Sequence, residues 1–391
     1  QAALPPKRSG LGLAPARQTA DACFVGQSLA VLSFLFTHSA ALHLPADLGE
    51  LQGLAWGQQL AAAVARLPAP RTGDGAGVAR TLDGLLSGSP TSRSQHRLTE
   101  DVYVGMYDDT LALQPSTRHR ARLVSAAGAY AGAWLGVLPS SDGHTARPAI
   151  YRLALCLRLG MPLHELEAAP GTRCSACNVF LDVYGFHPGT CKSGNAGGAW
   201  TQRSCVLEGA LAYIACRVGV YAVQIGNANW FGAAGWDPLA KNGQGAYRKA
   251  DVVFVGFNGG GQRHLVVDVA IVDGSGDTAV GSAPGHAASA REAAKVRKYQ
   301  PICDRIDAQF RGAVIERHGH CGDGMCSIIK LLSGDGERDL MQEDTSFTAP
   351  SRTTYVAQHL VFAAVMADAA MVDDALASAL HRLPRGRGAR S

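Results

Sequence analysis

The sequence predicts a mixed α/β (α+β) protein, in which a helical N-terminal half precedes a small metal-binding segment and a C-terminal portion of strands and helices. Three observations predict this arrangement. Apolar residues recur at helical spacing through 120–138 and 150–159, a histidine and three cysteines cluster within 174–191, and two β-branched runs occupy 251–257 and 264–272. The period of the apolar positions separates the helices from the strands.

The bulk composition is that of a folded protein. Of the 391 residues, 47% are hydrophobic and 17% are charged, with a net charge of +4, which excludes wholesale disorder and a fibrous protein. The apolar stretch 22–36 is shorter than the roughly 20 residues that span a bilayer, so we expect a buried helix and no membrane contact. The chain opens on Gln1 without an evident secretory signal, so we expect an intracellular piece of a longer product.

The first part of the chain divides by composition. Residues 1–67 are predicted to be helical after a basic, proline-rich arm, and residues 116–170 form a helical connector. Between them, 68–115 opens with a stretch rich in Gly, Pro, Ser and Arg, which predicts a flexible linker or connector. The sequence Met-Tyr-Asp-Asp at 106–109 has its aromatic residue one place too late for a polymerase metal-binding turn, so we assign it to the helical connector.

The strongest chemical signal is a cluster of four metal-ligand residues. Cys174, Cys177, His187 and Cys191 follow the pattern Cys-x2-Cys, nine residues, then His-x3-Cys. Zinc takes four nitrogen or sulfur ligands in a tetrahedron, and a two-residue gap lets two thiolates from one turn share the ion. With all four positions filled, segment 171–195 is predicted to be a closed, structural Zn²⁺ site. The alternative is a set of unrelated buried thiols and a surface histidine.

A pair of acidic residues lies on the two predicted strands. Asp251 opens the first strand and Asp268 lies in the middle of the second, among valines, where burial is costly unless a cation compensates the charge. If the glycine-rich turn closes near residues 260–261, the two are diagonal neighbours on one face of the sheet. Two such carboxylates can hold Mg²⁺. The alternative for Asp251 is a residue that begins an edge strand.

A basic helix follows the strands. The stretch 287–300 is predicted to be helical, and Arg291, Lys295 and Lys298 fall at i, i+4 and i+7 on one face. A lysine beside a carboxylate-bound metal can position water and stabilise developing negative charge, whereas the alternative is a solvated helix face. The histidines and cysteines of 318–326 are expected to lie in a flexible surface loop rather than to form a second metal site.

Around these sites the sequence reads Arg248-Lys249-Ala250-Asp251, then Val-Val-Asp268-Val, then Lys295-Val-Arg-Lys298-Tyr. With the preceding Cys/His segment, this order resembles the C-terminal restriction-like endonuclease of site-specific non-LTR retrotransposon reverse transcriptases, in which a zinc knuckle precedes a PD-(D/E)XK-type nuclease. The resemblance covers residues 120–335. The family's Lys/Arg-Pro-Asp motif lacks its proline here, and its lysine has moved to the following helix.

The resemblance implies a restriction-endonuclease-like core over 200–335, with a mixed sheet flanked by helices, followed by a C-terminal helix and basic tail over 336–391. It also implies a Mg²⁺-dependent nick in target DNA, made in the nucleus, with element RNA as a further partner. Two sets of residues would carry this function. The predicted catalytic residues are Asp251, Asp268, Lys298, Lys295 and Glu208, and the predicted nucleic-acid contacts are Arg203, Arg248, Lys249 and Arg291.

Two other functions stay open at this level. The missing proline, and Arg-Ser-Cys at 203–205 where the family has Arg-His-Asn, favour a catalytically dead remnant that still binds zinc and nucleic acid. The other alternative is a zinc-stabilised interaction protein without affinity for DNA.

Overall fold

The computed structural model describes residues 1–13, 16–38, 53–68, 94–138, 145–191, 193, 197–220, 223–225, 251–255, 264–276, 283–306, 308–334 and 349–382. Contacts between residues divide the chain into two compact units, Gln1–Gln114 and Pro115–Ser391, each of which is considered by itself. The second unit combines a sheet with helices, which confirms the predicted mixed α/β class. Within the described ranges, no helix has both the length and the apolarity needed to cross a membrane.

The first unit is a small helical assembly. Helices α1 (Ala16–His38), α2 (Ala55–Arg66) and α3 (Ser94–Ala112) bury an aliphatic cluster that draws on all three. An ion pair also joins α1 and α2, since the Arg66 guanidinium lies 2.6 Å from the Asp21 carboxylate. The buried members of the cluster are Ala22, Val25, Leu29, Leu32, Leu60, Ala63, Val64, Leu67, Leu98 and Val102.

Helix α3 lies within the segment 68–115, for which the composition predicts a flexible linker or connector. Leu98 and Val102 stand at i and i+4 and enter the apolar cluster, so the burial of one helix face stabilises a segment that helix propensity alone does not define. The Met-Tyr-Asp-Asp sequence at 106–109, which the prediction assigned to a helical connector, lies within this helix.

The second unit is organised on a four-stranded sheet. Its strands are β1 (Val223–Ile225), β2 (Val252–Phe254), β3 (His264–Val272) and β4 (Ala308–Glu316), in that order across the sheet. Strands β1, β2 and β3 pair antiparallel, whereas β4 runs parallel to β3. A parallel neighbour requires a crossover connection, and the helix that follows β3 in the chain supplies it.

That crossover helix, α4 (His286–Cys303), packs on one face of the sheet. Its buried positions include Glu292, Lys295 and Tyr299, and Tyr299 joins Val253 and Val266 in a separate apolar cluster. Because side chains alternate along a strand, residues two apart share a face, so Asp268 lies on the same face as Val266. The predicted helix over 287–300 is confirmed.

Helices cover the other face of the sheet. The main core joins β2 and β3 to α5 (Gly197–Arg217), α6 (Asp323–Ser333) and α7 (Arg352–Leu380), with Val252, Val267 and Val269 among its strand residues. Gly219, with φ +93°, follows the end of α5 in the cap position that its sequence predicts.

The remaining helices of this unit precede the sheet in the chain. They are α8 (Thr117–Ala126), α9 (Pro148–Leu159), α10 (His164–Glu167) and α11 (Phe186–Thr190). The predicted connector (116–170), knuckle (171–195), core (200–335) and C-terminal segment (336–391) all belong to this one compact unit. The reason is α7, whose apolar residues pack into the same core as those of α5 and α9.

A buried ion-pair network ties these elements together. Asp368 on α7 accepts hydrogen bonds from Arg203 on α5 and, at 3.1 Å, from Arg317 after β4. Arg203 also donates to the Ile271 carbonyl of β3 at 2.8 Å. The side chains of all three charged residues are almost completely buried, so the network links α5, α7 and both long strands inside the core.

We expect Asp368→Asn to lower the free energy of unfolding by about 3–5 kcal/mol, because removal of one partner leaves buried charge uncompensated. Chemical denaturation measures this change. The matched control is Asp373→Asn on the same helix, whose carboxylate is 44% exposed and 3.9 Å from Arg147. An exposed pair of this kind contributes about 1 kcal/mol or less. Equal effects of the two substitutions would contradict the structural role of the network.

Candidate metal centre and candidate active site

The first half of the metal cluster is a tight turn that carries Cys174 and Cys177. The Cys174 amide donates to the Val179 carbonyl at 2.8 Å, and the Asn178 amide donates to the Cys174 carbonyl at 2.9 Å. Asn178 takes a left-handed φ of 62°, which asparagine tolerates better than most residues. An antiparallel bridge between Arg173 and Phe180 closes the turn, so both thiols project from one short loop.

The second half is the short helix α11, which carries His187 and Cys191 at or next to its ends. Asp182 holds the loop before this helix, because its carboxylate accepts hydrogen bonds from the backbone amides of Tyr184, Phe186 and His187 at 3.0, 3.0 and 2.7 Å. Gly185 has φ +70°, and a Cβ there would lie 2.8 Å from the Leu163 side chain. Glycine is therefore required at this bend.

The four predicted ligand atoms converge, with all of them within 4.8 Å of one another. The Cys174 and Cys191 sulfurs are 3.8 Å apart, and Cys177 Sγ lies 3.2 Å from His187 Nε2. Two sulfurs bound at about 2.3 Å to one tetrahedral ion are separated by about 3.8 Å. The Cys3His cluster therefore has a geometry that holds a single metal ion, and its donor set is one that suits zinc.

The electrostatic surroundings agree with a metal centre. Burial lowers the pKa of His187, which favours the neutral imidazole that binds metals. Burial and the neighbouring thiols raise the pKa of Cys191 to about 11, so the thiolate form of this ligand needs a nearby cation. Asp182 adds an outer contact through the backbone of His187, the kind of support that orients a metal ligand.

The histidines and cysteines of 318–326 do not lie in the surface loop that was expected. His318, His320 and Cys321 are each at most 9% exposed, and Cys321 bridges to Ile315 of β4. The apolar contacts of this turn with the core explain its burial. Among the described residues, Cys174, Cys177, His187 and Cys191 are the one group of three or more histidine, cysteine or acidic side chains whose ligand atoms converge.

The second candidate site is the acidic pair on β2 and β3. Val252 pairs with Val267 and Val253 with Val266, so the register places Asp251 directly opposite Asp268. The sequence predicted that the two acids are diagonal neighbours, with the turn near residues 260–261. The observed register differs from this prediction, because it places the two acids directly opposite each other. Asp251 Oδ2 accepts a hydrogen bond from the Val269 amide at 2.8 Å. The two carboxylates thus share one face and one location.

Lys295 on α4 completes this cluster. Its Nζ lies 2.6 Å from Asp268 Oδ2 and donates to the Val269 carbonyl at 3.0 Å, with its side chain 7% exposed. Lys298, the other candidate lysine, is exposed, and its Nζ donates to the Tyr299 hydroxyl at 2.9 Å. Of the two lysines, Lys295 is therefore the one in contact with the acids.

Burial and the closeness of the two carboxylates change the pKa of Asp251. Burial, together with the hydrogen bond and the negative charge of Asp268, raises the pKa of Asp251 to about 9. Glu208 on α5 adds to this rise, and Lys295 opposes it. The structure thus brings Asp251, Asp268 and Lys295 together, and Glu208 acts on Asp251 electrostatically. The sequence had nominated all four as site residues.

The residues predicted to contact nucleic acid differ in their exposure to solvent. Arg291 is exposed on α4, but Arg203 is buried in its ion pair with Asp368. Arg203 therefore links α5 to α7 and β3 instead of facing solvent. The alternative of a solvated basic face on α4 does not apply to Lys295, which is buried. Arg248 and Lys249 lie outside the described residues.

Some residues that support these sites were missed from the sequence. Glu292 is buried, and its carboxylate accepts from the amides of Val314, Gly324 and Met325 at 3.2, 3.0 and 3.3 Å, which satisfies the first turn of α6. Its spacing of three residues from Lys295 puts both on the buried face of α4, and this spacing is a usable signal. Asp368 carried no comparable local signal, because its partners Arg203 and Arg317 lie on other elements.

No protein-family model matches this chain, and no curated protein matches it. By its fold and its two clusters, the chain is a mixed α/β protein. It has a Cys3His metal-binding cluster and a buried Asp–Asp–Lys group on a mixed sheet.

We expect the purified protein to bind one metal ion per chain at this cluster and Cys177→Ser to lose it, because a hydroxyl replaces one of four sulfur or nitrogen ligands. Elemental analysis of the purified protein measures the metal content. Cys216→Ser, which changes an exposed cysteine at the end of α5, is the matched control and should retain the ion. Equal metal content in the two variants would exclude Cys177 as a ligand.

Proposed function

We propose that the unit Pro115–Ser391 is a metal-dependent endonuclease that nicks DNA, with Asp251, Asp268 and Lys295 as its catalytic residues. The observation that carries this proposal is the shared location of two carboxylates from neighbouring strands and a buried ammonium 2.6 Å from Asp268 Oδ2. Hydrolysis of a phosphodiester requires an activated water and compensation of negative charge, and acids that bind metal beside a fixed cation meet both needs.

The acidic cluster fits a hard divalent cation such as Mg²⁺, which prefers carboxylate oxygens. Asp251 and Asp268 would hold this ion, with Glu208 near them. Burial is the main cause of the raised pKa of Asp251, and the hydrogen bond and charge of Asp268 add to it while Lys295 opposes it, so a bound cation would favour the ionised carboxylate. When bound, Mg²⁺ supplies a Lewis acid for the phosphate and the attacking water.

The protein's own residues would keep the reacting groups in place. The Val269 amide holds one oxygen of Asp251, and the Val269 carbonyl accepts from Lys295, so a single residue of β3 orients an acid and the lysine. A fixed ammonium stabilises the negative charge that develops on a phosphate with little reorganisation. We assign this role to Lys295 in preference to Lys298, because Lys298 donates to the Tyr299 hydroxyl.

The resemblance to non-LTR retrotransposon endonucleases supports DNA as the substrate. The Cys3His cluster, α5, the two acidic strands and α4 follow one another in the order that the resemblance implies, and a mixed sheet with helices on both faces is consistent with a restriction-like core. We therefore propose a retroelement-derived protein that acts on DNA in the nucleus. Its Cys3His cluster would hold a structural Zn²⁺, and exposed Arg291 would contact the phosphate backbone.

The decisive experiment is a plasmid-nicking assay with added Mg²⁺. We expect Asp268→Asn to lower the nicking rate by about 100-fold or more, since even outer-shell changes at metal sites cost about 10–100-fold. The matched control is Asp374→Asn, an exposed acid on α7, which should nick at the wild-type rate. Circular dichroism checks that both variants fold.

Two outcomes would contradict the proposal. Nicking by Asp268→Asn at the wild-type rate would exclude the acidic pair as the active site. A folded, metal-loaded wild-type protein that binds DNA but leaves it intact would instead support the non-enzymatic nucleic-acid-binding remnant, the alternative left open by the missing proline of the Asp251 motif.

A second comparison separates the two candidate lysines. We expect Lys295→Met to reduce the nicking rate by about 10²–10³, the usual effect of removing one group that stabilises transition-state charge. Lys298→Met should have a much smaller effect, since this ammonium is exposed and donates to the Tyr299 hydroxyl. Because Lys295 is buried, the unfolding midpoint of each variant must be measured alongside the rate. A larger loss in Lys298→Met would reverse our assignment.

A further inference from the structure

Helix α4 lies directly against the sheet at Gly312 of β4. Gly312 is the register partner of Asp268 on β3, so this contact lies beside the acidic pair. A Cβ at Gly312 would lie 3.2 Å from the Cα atom of Glu292 on α4, whereas carbon atoms in good contact are about 3.5–4.0 Å apart. Because Gly312 has no side chain, the backbone of α4 can approach the strand at the level of Asp268.

The Glu292 side chain fastens α4 at the same level. It is buried, and its Oε1 accepts hydrogen bonds from the Val314 amide of β4 at 3.2 Å and from the Met325 amide of α6 at 3.3 Å. Its Oε2 accepts from the Gly324 amide of α6 at 3.0 Å. One carboxylate thus joins α4 both to the neighbouring strand and to the first turn of a second helix.

The surrounding backbone leaves room for this one side chain. A Cβ at Gly322 would overlap the Glu292 carboxylate, and a Cβ at Gly324 would overlap the Gly312 carbonyl oxygen. Gly322 has an ordinary φ of -66°, so space rather than backbone conformation requires glycine at this position. The glycines of β4 and of the start of α6 therefore surround the Glu292 carboxylate closely on the side away from α4.

Glu292 does more than cap α6. A helix usually begins with a Ser, Thr, Asp or Asn side chain at its N-cap residue, but the N-cap of α6 is Gly322, which offers no side chain. The acceptor comes from α4 instead. The first turn of α6 therefore depends on the position of α4, and α4 is in turn fixed to α6 and β4 at Glu292.

The contact between Lys295 and Asp268 depends on this attachment. Lys295 follows Glu292 by three residues, so both lie on the buried face of α4. Its Nζ lies 2.6 Å from Asp268 Oδ2 and donates to the Val269 carbonyl at 3.0 Å. Because Lys295 is less than one helical turn from Glu292, a change in the depth of α4 at Glu292 also displaces the Lys295 ammonium.

We propose that Glu292 is a positioning residue, which holds the Lys295 ammonium against Asp268 by fixing the depth of α4 on the sheet. Gly312 is its counterpart on β4, since a side chain there pushes the same turn of α4 away from the strand. The importance of this contact for nicking rests on the proposed function. The contact itself belongs to the fold, so it can be tested without DNA.

The first experiment measures how well Lys295 is protected from acylation by acetic anhydride, followed by mass spectrometry. In the wild type, Lys295 should be modified much more slowly than Lys298, because Lys295 is 7% exposed and ion-paired, whereas Lys298 is exposed. In Glu292→Gln, the carboxamide nitrogen donates and does not accept, so it faces at least one of three amide donors. We expect Lys295 to be modified about tenfold faster in this variant, the usual scale for an unmet buried donor, with Lys298 unchanged.

Gly312→Ala tests the same contact by a different route. Its Cβ requires the Glu292 turn to move outward by a few tenths of an ångström, so Lys295 should again be modified faster than in the wild type. The matched control is Gly209→Ala on α5, where a Cβ would meet nothing within 4 Å, and Lys295 should stay protected. If Glu292→Gln does not fold, Gly312→Ala decides the question alone.

General destabilisation is separated from positioning by Asp368→Asn. This substitution weakens the buried ion-pair network of α7, which does not include Glu292 or Lys295, so Lys295 should stay protected while the protein is folded. Equal acceleration of Lys295 modification in Asp368→Asn and Glu292→Gln would overturn the proposal. Wild-type protection of Lys295 in both Glu292→Gln and Gly312→Ala would also overturn it.

The second experiment separates binding from turnover in the nicking assay. We expect Glu292→Gln to lower kcat by about tenfold or more with KM within about twofold of the wild-type value, because a displaced ammonium loses an interaction made in the transition state. Glu292→Asp keeps both acceptor oxygens and should retain more of the wild-type kcat. A raised KM with wild-type kcat in Glu292→Gln would contradict the positioning role. An inactive wild type contradicts the endonuclease proposal alone, because protection of Lys295 is measured without DNA.

Discussion

The pairing register between β2 and β3 is the constraint on which the second unit depends. Side chains alternate along a strand, so a slip of one residue would exchange the two faces of the sheet. The observed register directs Val252, Val267 and Val269 into the main core. On the opposite face it sets Asp251 beside Asp268, under the helix that carries Lys295. Packing and the candidate chemistry therefore follow from one set of backbone pairs.

A second constraint joins the sheet to the metal centre. Asp368 binds Arg203, which donates to β3, and Arg317, which lies against Gly189 of the metal-binding segment. The metal centre, the long C-terminal helix and the sheet thus share a buried polar network. Such networks are costly when one member is missing, so the parts that looked separable along the chain behave as one unit.

Local sequence patterns were sufficient to predict the structure where neighbouring residues determine it. The Cys3His spacing predicted a metal-binding cluster because its residues come from two short turns with their own bends. The β-branched runs predicted β2 and β3, and the stretch 287–300 predicted α4. The full extent of the helix over 94–112 was not evident from local composition, because this helix depends on burial of Leu98 and Val102. Arg203 was misjudged because charge alone does not indicate whether a partner such as Asp368 lies elsewhere in the chain.

The sequence by itself determined the mixed α/β class, the four members of the Cys3His cluster and the two acids of the candidate active site, because each rests on residue type and short-range spacing. Only the tertiary structure decided that Asp251 and Asp268 stand directly opposite each other, that Lys295 rather than Lys298 contacts them, and that Arg203 and Arg317 enclose Asp368. These outcomes depend on strand register and on helices from distant parts of the chain. The relative position of such elements is set by packing of the whole core and not by any local pattern.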